Sequence, residues 1–154
     1  MTPQNLQEEI KEMLEETSKD IEWKDIDGKR TELNIFKQNL PKRELDEDDP
    51  FPYCIIRLVN GSHNAINDGD NYIRALLIFA VHDDDLNNQG DVLLNMINAI
   101  VLRLSENNVL KTFYQVGKIE WAIDDEDTYP YFFAGMDLTF VPAYIPRRGG
   151  EMFI

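Results

Sequence analysis

The chain has 154 residues, 43% of them hydrophobic, and 29 acidic against 15 basic side chains for a net charge of -14 at pH 7. That much apolar content buries a core, so a disordered chain is excluded, and the length is that of one ordinary domain over 1–154. The charge argues against sequence-independent nucleic-acid binding, which needs Lys and Arg to displace phosphate counterions, and against docking on anionic membrane.

The first predicted element is a helix over residues 3 to 19, within an N-terminal section 1–20. Leu6, Ile10, Met13, Leu14 and Thr17 line one side of it, and Glu8, Glu9, Lys11, Glu12, Glu15 and Glu16 cover the rest as a solvated face. Thr2 is placed to cap it, with Pro3 at the first helical position. Trp23 is expected where this helix meets a sheet. Residues 24–52 read as an irregular connection: Asp27-Gly28 makes a turn between two short strands, the second running from Thr31 to Phe36. Pro41, the acidic run Asp46 to Asp49, Pro50 and Pro52 break the remainder of this connection into irregular chain.

An α+β core is expected over 53–142. Tyr53 to Val59 is a strand, and a polar hairpin tip, Asn60-Gly61-Ser62 through Asn67-Asp68-Gly69-Asp70-Asn71, leads to the next. Residues 75 to 81, Ala-Leu-Leu-Ile-Phe-Ala-Val, form an unbroken apolar run that suits a central strand covered on both faces. Asp83-Asp84-Asp85 stops it. From about Gln89 the period becomes helical, with Leu93, Met96, Ile97, Ile100 and Leu104 in one stripe, Asn88 as the cap and Asp91 at the third helical position. Val109 to Val116 and Lys118 to Ile123 are extended, with a bulge at Gly117 and with Ile119, Trp121 and Ile123 on the dry face. The last strand, Tyr131 to Val141, has Phe132, Ala134, Met136, Leu138 and Phe140 on one face and Gly135, Asp137 and Thr139 on the other. Residues 143–154 read as a loose tail. The expected fold is α+β: a mixed, mainly antiparallel sheet of about four to six strands in the order strand-strand-helix-strand-strand, with the N-terminal helix and a long central helix packed on it.

Chemistry is scarce in this pattern. Asp83, Asp85 and Asn87 match the first ligand positions of a calcium loop, but Asn88 stands where glycine is required and Leu94 where glutamate is required. His63 and His82 flank the hairpin, and Ser62 sits beside His63 in a loop ill suited to preorganise a triad. Cys54 reads as a core thiol, and one cysteine allows neither an internal disulfide nor a Cys-rich metal site. No phosphate-cradling loop, Walker motif or zinc spacing occurs. The expectation is therefore no catalytic, cofactor-binding or metal residue, no cofactor and no enzyme. No apolar run approaches the ~20 residues of a membrane span, and the acidic N-terminus is unlike a signal peptide, so a cytoplasmic protein is expected. Aromatic density around two prolines, Asp49-Pro-Phe-Pro-Tyr53 and Thr128-Tyr-Pro-Tyr-Phe-Phe133, reads first as sheet packing and second as an interface.

Those two stretches, with Asn60-Gly-Ser62, Asp124-Asp-Glu-Asp127 and Gly135-Met-Asp-Leu-Thr139, resemble small proteins from the head-to-tail joining and tail-completion modules of tailed bacteriophages and Gram-positive prophages, closest to the tail terminator. The resemblance covers roughly residues 49 to 146 and leaves the N-terminal helix aside. It implies a structural virion protein, present in the host cytoplasm during assembly and then in the tail neck. It implies a homo-oligomeric ring, of hexamer type, that contacts the tail-tube protein and the head connector while DNA passes through without specific binding. Interface candidates are Asn67, Asp68 and Asp70 in the hairpin tip, Tyr129, Pro130 and Tyr131 at the last strand's entry, and Arg147 and Arg148 in the tail, which as a basic segment on an acidic body is expected to reach a neighbour. The rivals are another connector or head-completion protein, a small phage-encoded regulator that binds a host protein, and, last, a hydrolase.

Overall fold

The computed structural model describes residues 2–41, 50–66 and 70–143. Helix α1 spans Pro3–Ser18 and opens on a reciprocal cap. Thr2 is extended, its hydroxyl accepts the Asn5 N–H at 3.1 Å, and the Asn5 side-chain oxygen accepts the Thr2 N–H at 3.0 Å. Thr2→Ala should cost about 1 kcal/mol, read as a lower urea midpoint at unchanged slope. Leu6, Ile10, Met13 and Leu14 are buried as expected, but so is Glu9, which the charge pattern assigned to solvent, and Gln7 is buried beside it in the sequence.

After α1 the chain makes a two-stranded ribbon, β1 (Trp23–Lys24) and β2 (Arg30–Thr31), around the Asp27-Gly28 turn, and then β3 (Asn34–Lys37). The expected single strand from Thr31 to Phe36 is thus divided between two sheets. Leu33 turns into the core between them. Trp23 is buried in the main core, and its indole N–H donates to the Ser18 carbonyl at 3.1 Å, so it ties the ribbon to the end of α1.

The main sheet has five strands in the order β3-β4-β5-β7-β6, with β4 at Tyr53–Ser62, β5 at Tyr72–His82, β6 at Phe113–Ile123 and β7 at Tyr131–Pro142. Only β3–β4 is parallel. The apolar run of residues 75–81 is indeed the middle strand. Helix α2 (Asp91–Glu106) carries the chain from β5 to the far edge strand β6, and β7 then returns into the gap between them. The class is α+β, as the strand-strand-helix-strand-strand order implies.

Both helices lie on one face. Leu6, Ile10, Met13 and Leu14 of α1 and Leu93, Met96, Ile97, Ile100 and Leu104 of α2 join Cys54, Ile56, Leu77, Phe79, Met136, Leu138 and Phe140 of the sheet in one cluster. The expectation that β5 is covered on both faces fails: Ala75, Leu77, Phe79 and Val81 are buried under the helices, while Leu76 and Ile78 on the reverse are only half-buried. A run of apolar residues does not distinguish a helix-covered reverse face from one that meets solvent or a partner.

The start of α2 also differs. Its cap is Gly90, left-handed at φ 81°, and Asp91 is the first helical residue instead of the third. Asn88 contributes only its carbonyl, which accepts the Asp91 N–H at 3.1 Å, while the Asp83 carboxylate accepts the Gly90 N–H at 2.9 Å. Asp91 still places negative charge at the positive end of the helix dipole. In β6 the pairing register slips between Val116 and Glu120, with Gly117 at φ 72°, so the expected bulge is present; residues before Phe113 belong to a turn instead of the strand.

Candidate assembly surface

In an antiparallel sheet, residues opposite one another share a face. The pairs Tyr131↔His82, Phe133↔Ala80, Gly135↔Ile78, Asp137↔Leu76 and Ile78↔Ile55 therefore assign one continuous row to the side away from the helices. At one end the row is aromatic. Phe51 stands 5.2 Å from Tyr53 and 5.0 Å from Tyr131, measured between ring centres, and Tyr131 is edge-on to His82 at 5.2 Å. Tyr53, Ile55 and Ala80 are buried there, with Phe36, Leu40, Ile78 and Phe133 packed around them at half-burial. The two proline-opened aromatic stretches, about 80 residues apart in the chain, thus meet on this face, and each of their X-Pro bonds, Phe51–Pro52 and Tyr129–Pro130, is cis.

At the other end the row is charged. Arg74 grips Asp137 in a two-pronged pair, with Nε at 2.9 and 3.1 Å from the two carboxylate oxygens and Nη2 at 2.7 Å from one of them. Hydrogen bonding to Asp137 raises the Arg74 guanidinium above its ordinary pKa. Arg57 donates to the Gln38 carbonyl at 3.0 Å. The result is a sheet face that no helix among the described residues covers, apolar and aromatic at one end and carrying the Arg74–Asp137 pair at the other.

The individual sites from the sequence fall at both ends of the molecule. Tyr129 is 45% exposed, donates its hydroxyl to the Asp84 carbonyl at 2.7 Å and stands edge-on to Phe132; the Pro130 carbonyl accepts the Asp83 N–H at 2.8 Å. With Tyr131 they mark the end where β5 finishes and β7 begins. Asp70 lies at the opposite end, exposed, accepting the Asn64 side-chain amide at 3.1 Å. The length of β5 separates the two groups by roughly 33 Å. Asn67, Asp68, Arg147 and Arg148 lie outside the described residues.

The groups considered for catalysis are also dispersed. His63 follows β4 and His82 ends β5, so they stand at opposite ends of the hairpin instead of flanking one place; Ser62 is paired with Tyr72 as the last residue of β4. Asp83 and Asp85 spend their carboxylate oxygens on the N–H groups of Asp85, Asn87 and Gly90 and on the Asn88 amide, which are the bonds of a capped turn. Among the described residues no three of His, Cys, Asp and Glu come together as a metal site would require. Burial pushes the Cys54 thiol pKa well up, away from thiolate reactivity. An open cleft of about 650 Å³ lies between β1 and the start of α2, lined by Asp20, Glu22, Lys24, His82, Asp83 and Asp91 among others.

Two features were not legible in the sequence. The Glu9 carboxylate is a buried staple from α1 to the turn before β6: it accepts the N–H groups of Lys111, Thr112 and Phe113 at 2.9, 2.8 and 3.3 Å and the Thr112 hydroxyl at 2.5 Å. Burial opposes its ionisation, yet these donors together hold its carboxyl below the usual range. Secondly, Trp121 and Ile123 pair with the helix-side residues Met136 and Ala134 but are 50% and 38% exposed, so the face of β6 expected to be dry is open at the sheet edge. Comparison with known proteins yields no matching family model and no matching curated protein.

Proposed function

We propose that this protein is a structural component of the head–tail junction of a tailed phage or prophage, a tail terminator that closes into a ring with copies of itself. The observation that carries the reading is the sheet face away from the helices, where Phe36, Phe51, Tyr131 and Phe133 are half-buried with no helix among the described residues over them. Aromatic side chains in that state gain most by meeting a partner surface, and the motifs of residues 49–53 and 124–139 that resemble tail-completion proteins supply that end and its neighbouring strand. Neighbours meet through unlike surfaces, a head-to-tail contact that closes when the rotation between copies divides a full turn. The tail-tube protein sits on one side of the ring and the head connector on the other. A net charge of -14 per copy keeps passing DNA from adhering.

Absolute mass by light scattering after size exclusion, over a wide concentration range, tests this. A hexamer, or a monomer that gives way to closed rings as concentration rises, is expected. A fixed monomer or dimer at every concentration, with no capture of tail-tube protein, would remove the reading. Phe133→Ser should weaken assembly at least tenfold, about 1.4 kcal/mol. Leu94→Ser, on the exposed side of α2, should leave assembly unchanged.

A further inference from the structure

Strand β6 forms one edge of the main sheet. Near its end Trp121 is 50% exposed, and Ala122 and Ile123 beside it are exposed as well. The backbone is open there too. The Asp124 N–H donates to the Phe133 carbonyl at 3.0 Å. By the alternation of an antiparallel ladder, Trp121 and Ile123 then turn their N–H and C=O groups outward, where no strand among the described residues pairs with them. Neither lysine nor proline, which blunt natural sheet edges, occurs in residues 119–124.

An acidic turn follows directly. Asp124, Asp125, Glu126 and Asp127 are all exposed. Asp124 and Asp127 accept N–H groups of their own turn, from Glu126 at 3.1 Å and Tyr129 at 3.4 Å, whereas the carboxylates of Asp125 and Glu126 meet no partner among the described residues.

The sheet face away from the helices offers the complement. Arg57 continues the row of Tyr53 and Ile55 on that face. Its Nε donates to the Gln38 carbonyl, and no carboxylate among the described residues pairs with the guanidinium. A cation without an acid thus borders an aromatic patch, on a chain of net charge -14.

We propose that each copy seats Trp121 and Ile123 on the aromatic end of the next copy's sheet face, where Asp125 and Glu126 reach Arg57, a contact that rests on the ring reading above. Charge selects this pairing. Edge against edge would set acid against acid, and face against face would set Arg57 against Arg57, so the unlike contact is the one both surfaces favour. Strands β4 and β6 stand three strand spacings apart, roughly 14 Å, and one surface faces sideways while the other faces away from the helices. A copy therefore cannot cover its own patch, and each contact leaves one surface of each kind open for the next copy.

Charge reversal in the full chain tests the contact, read as the concentration at which assembly is half complete by light scattering. Arg57→Glu alone, and Asp125→Arg with Glu126→Arg, should each raise that concentration about tenfold. The chain carrying all three should recover to within about threefold of the wild type, because the restored pair couples. Lys19→Glu makes the same charge change on exposed α1 surface and should leave assembly unchanged. Trp121→Ser, at an exposed position, should weaken assembly by about tenfold and decides the question alone should Arg57→Glu fail to fold. Rings that tolerate Trp121→Ser or either reversal, that are lost equally in Lys19→Glu, or that the triple variant does not recover would overturn this contact and leave the ring reading standing. An unmodified chain that stays monomeric at every concentration would remove both.

Discussion

Replacing Glu9 with alanine should lower stability by about 3 kcal/mol, one of the two largest single-residue effects expected in this protein. The loss leaves three backbone N–H groups and the Thr112 hydroxyl without their acceptor. Each stranded buried donor costs about 1–3 kcal/mol, but Lys111 and Thr112 are exposed enough for water to replace part of what is lost, so the sum stays well below four full penalties. Urea denaturation checks it, with the midpoint falling and the slope preserved. Glu9→Gln separates shape from charge. The folded carboxyl titrates below its unfolded value of about 4.3, so the native state binds fewer protons there. Its contribution is complete above that pH and disappears as pH falls through the lower, folded value. Unfolding midpoints followed from pH 7 to pH 3 should therefore fall less steeply in Glu9→Gln than in the wild type below about pH 4.3. Parallel curves would show that the carboxylate does not act as a charged staple.

Gly90→Ala should cost about 2–4 kcal/mol, and the reason is double. Gly90 sits at φ 81°, which any Cβ opposes by about 1–2 kcal/mol. A Cβ there would also stand 2.8 Å from Cγ and 3.0 Å from Cβ of Phe132, the side chain that closes the start of α2 against β7. Gly117→Ala is the matched control: its φ of 72° carries the same backbone penalty, with nothing within 4 Å of the added atom, so about 1 kcal/mol is expected. The gap between the two variants measures the contact with Phe132 alone. Gly90→Ala placed on Phe132→Ala should show a smaller increment than on the wild type, because the two residues touch. Equal losses at positions 90 and 117 would show that the Phe132 ring moves aside freely.

What the chain's own pattern determined is everything that repeats over a few residues. The five residues assigned to the α2 stripe are the five that are buried there, because a 3.6-residue period is written into neighbouring positions. The Thr2 cap, the bulge at Gly117 and the alternation Ala134, Met136, Leu138, Phe140 are local in the same sense. Tertiary structure alone decided the rest. Glu9 looks like one more solvated glutamate because its partners lie more than 100 residues downstream. The cap of α2 is Gly90 and not Asn88, a left-handed position where a ring on β7 occupies the space into which a side chain would project. The insertion of β7 between β5 and β6 brought Tyr131 and Phe133 beside the strands led by Phe51 and Tyr53, and it sent Tyr129 and Asp70 to opposite ends. Strand order and register are set by which distant segments bury one another best. For that reason the residues of the candidate surface were readable one by one, and the surface itself was not.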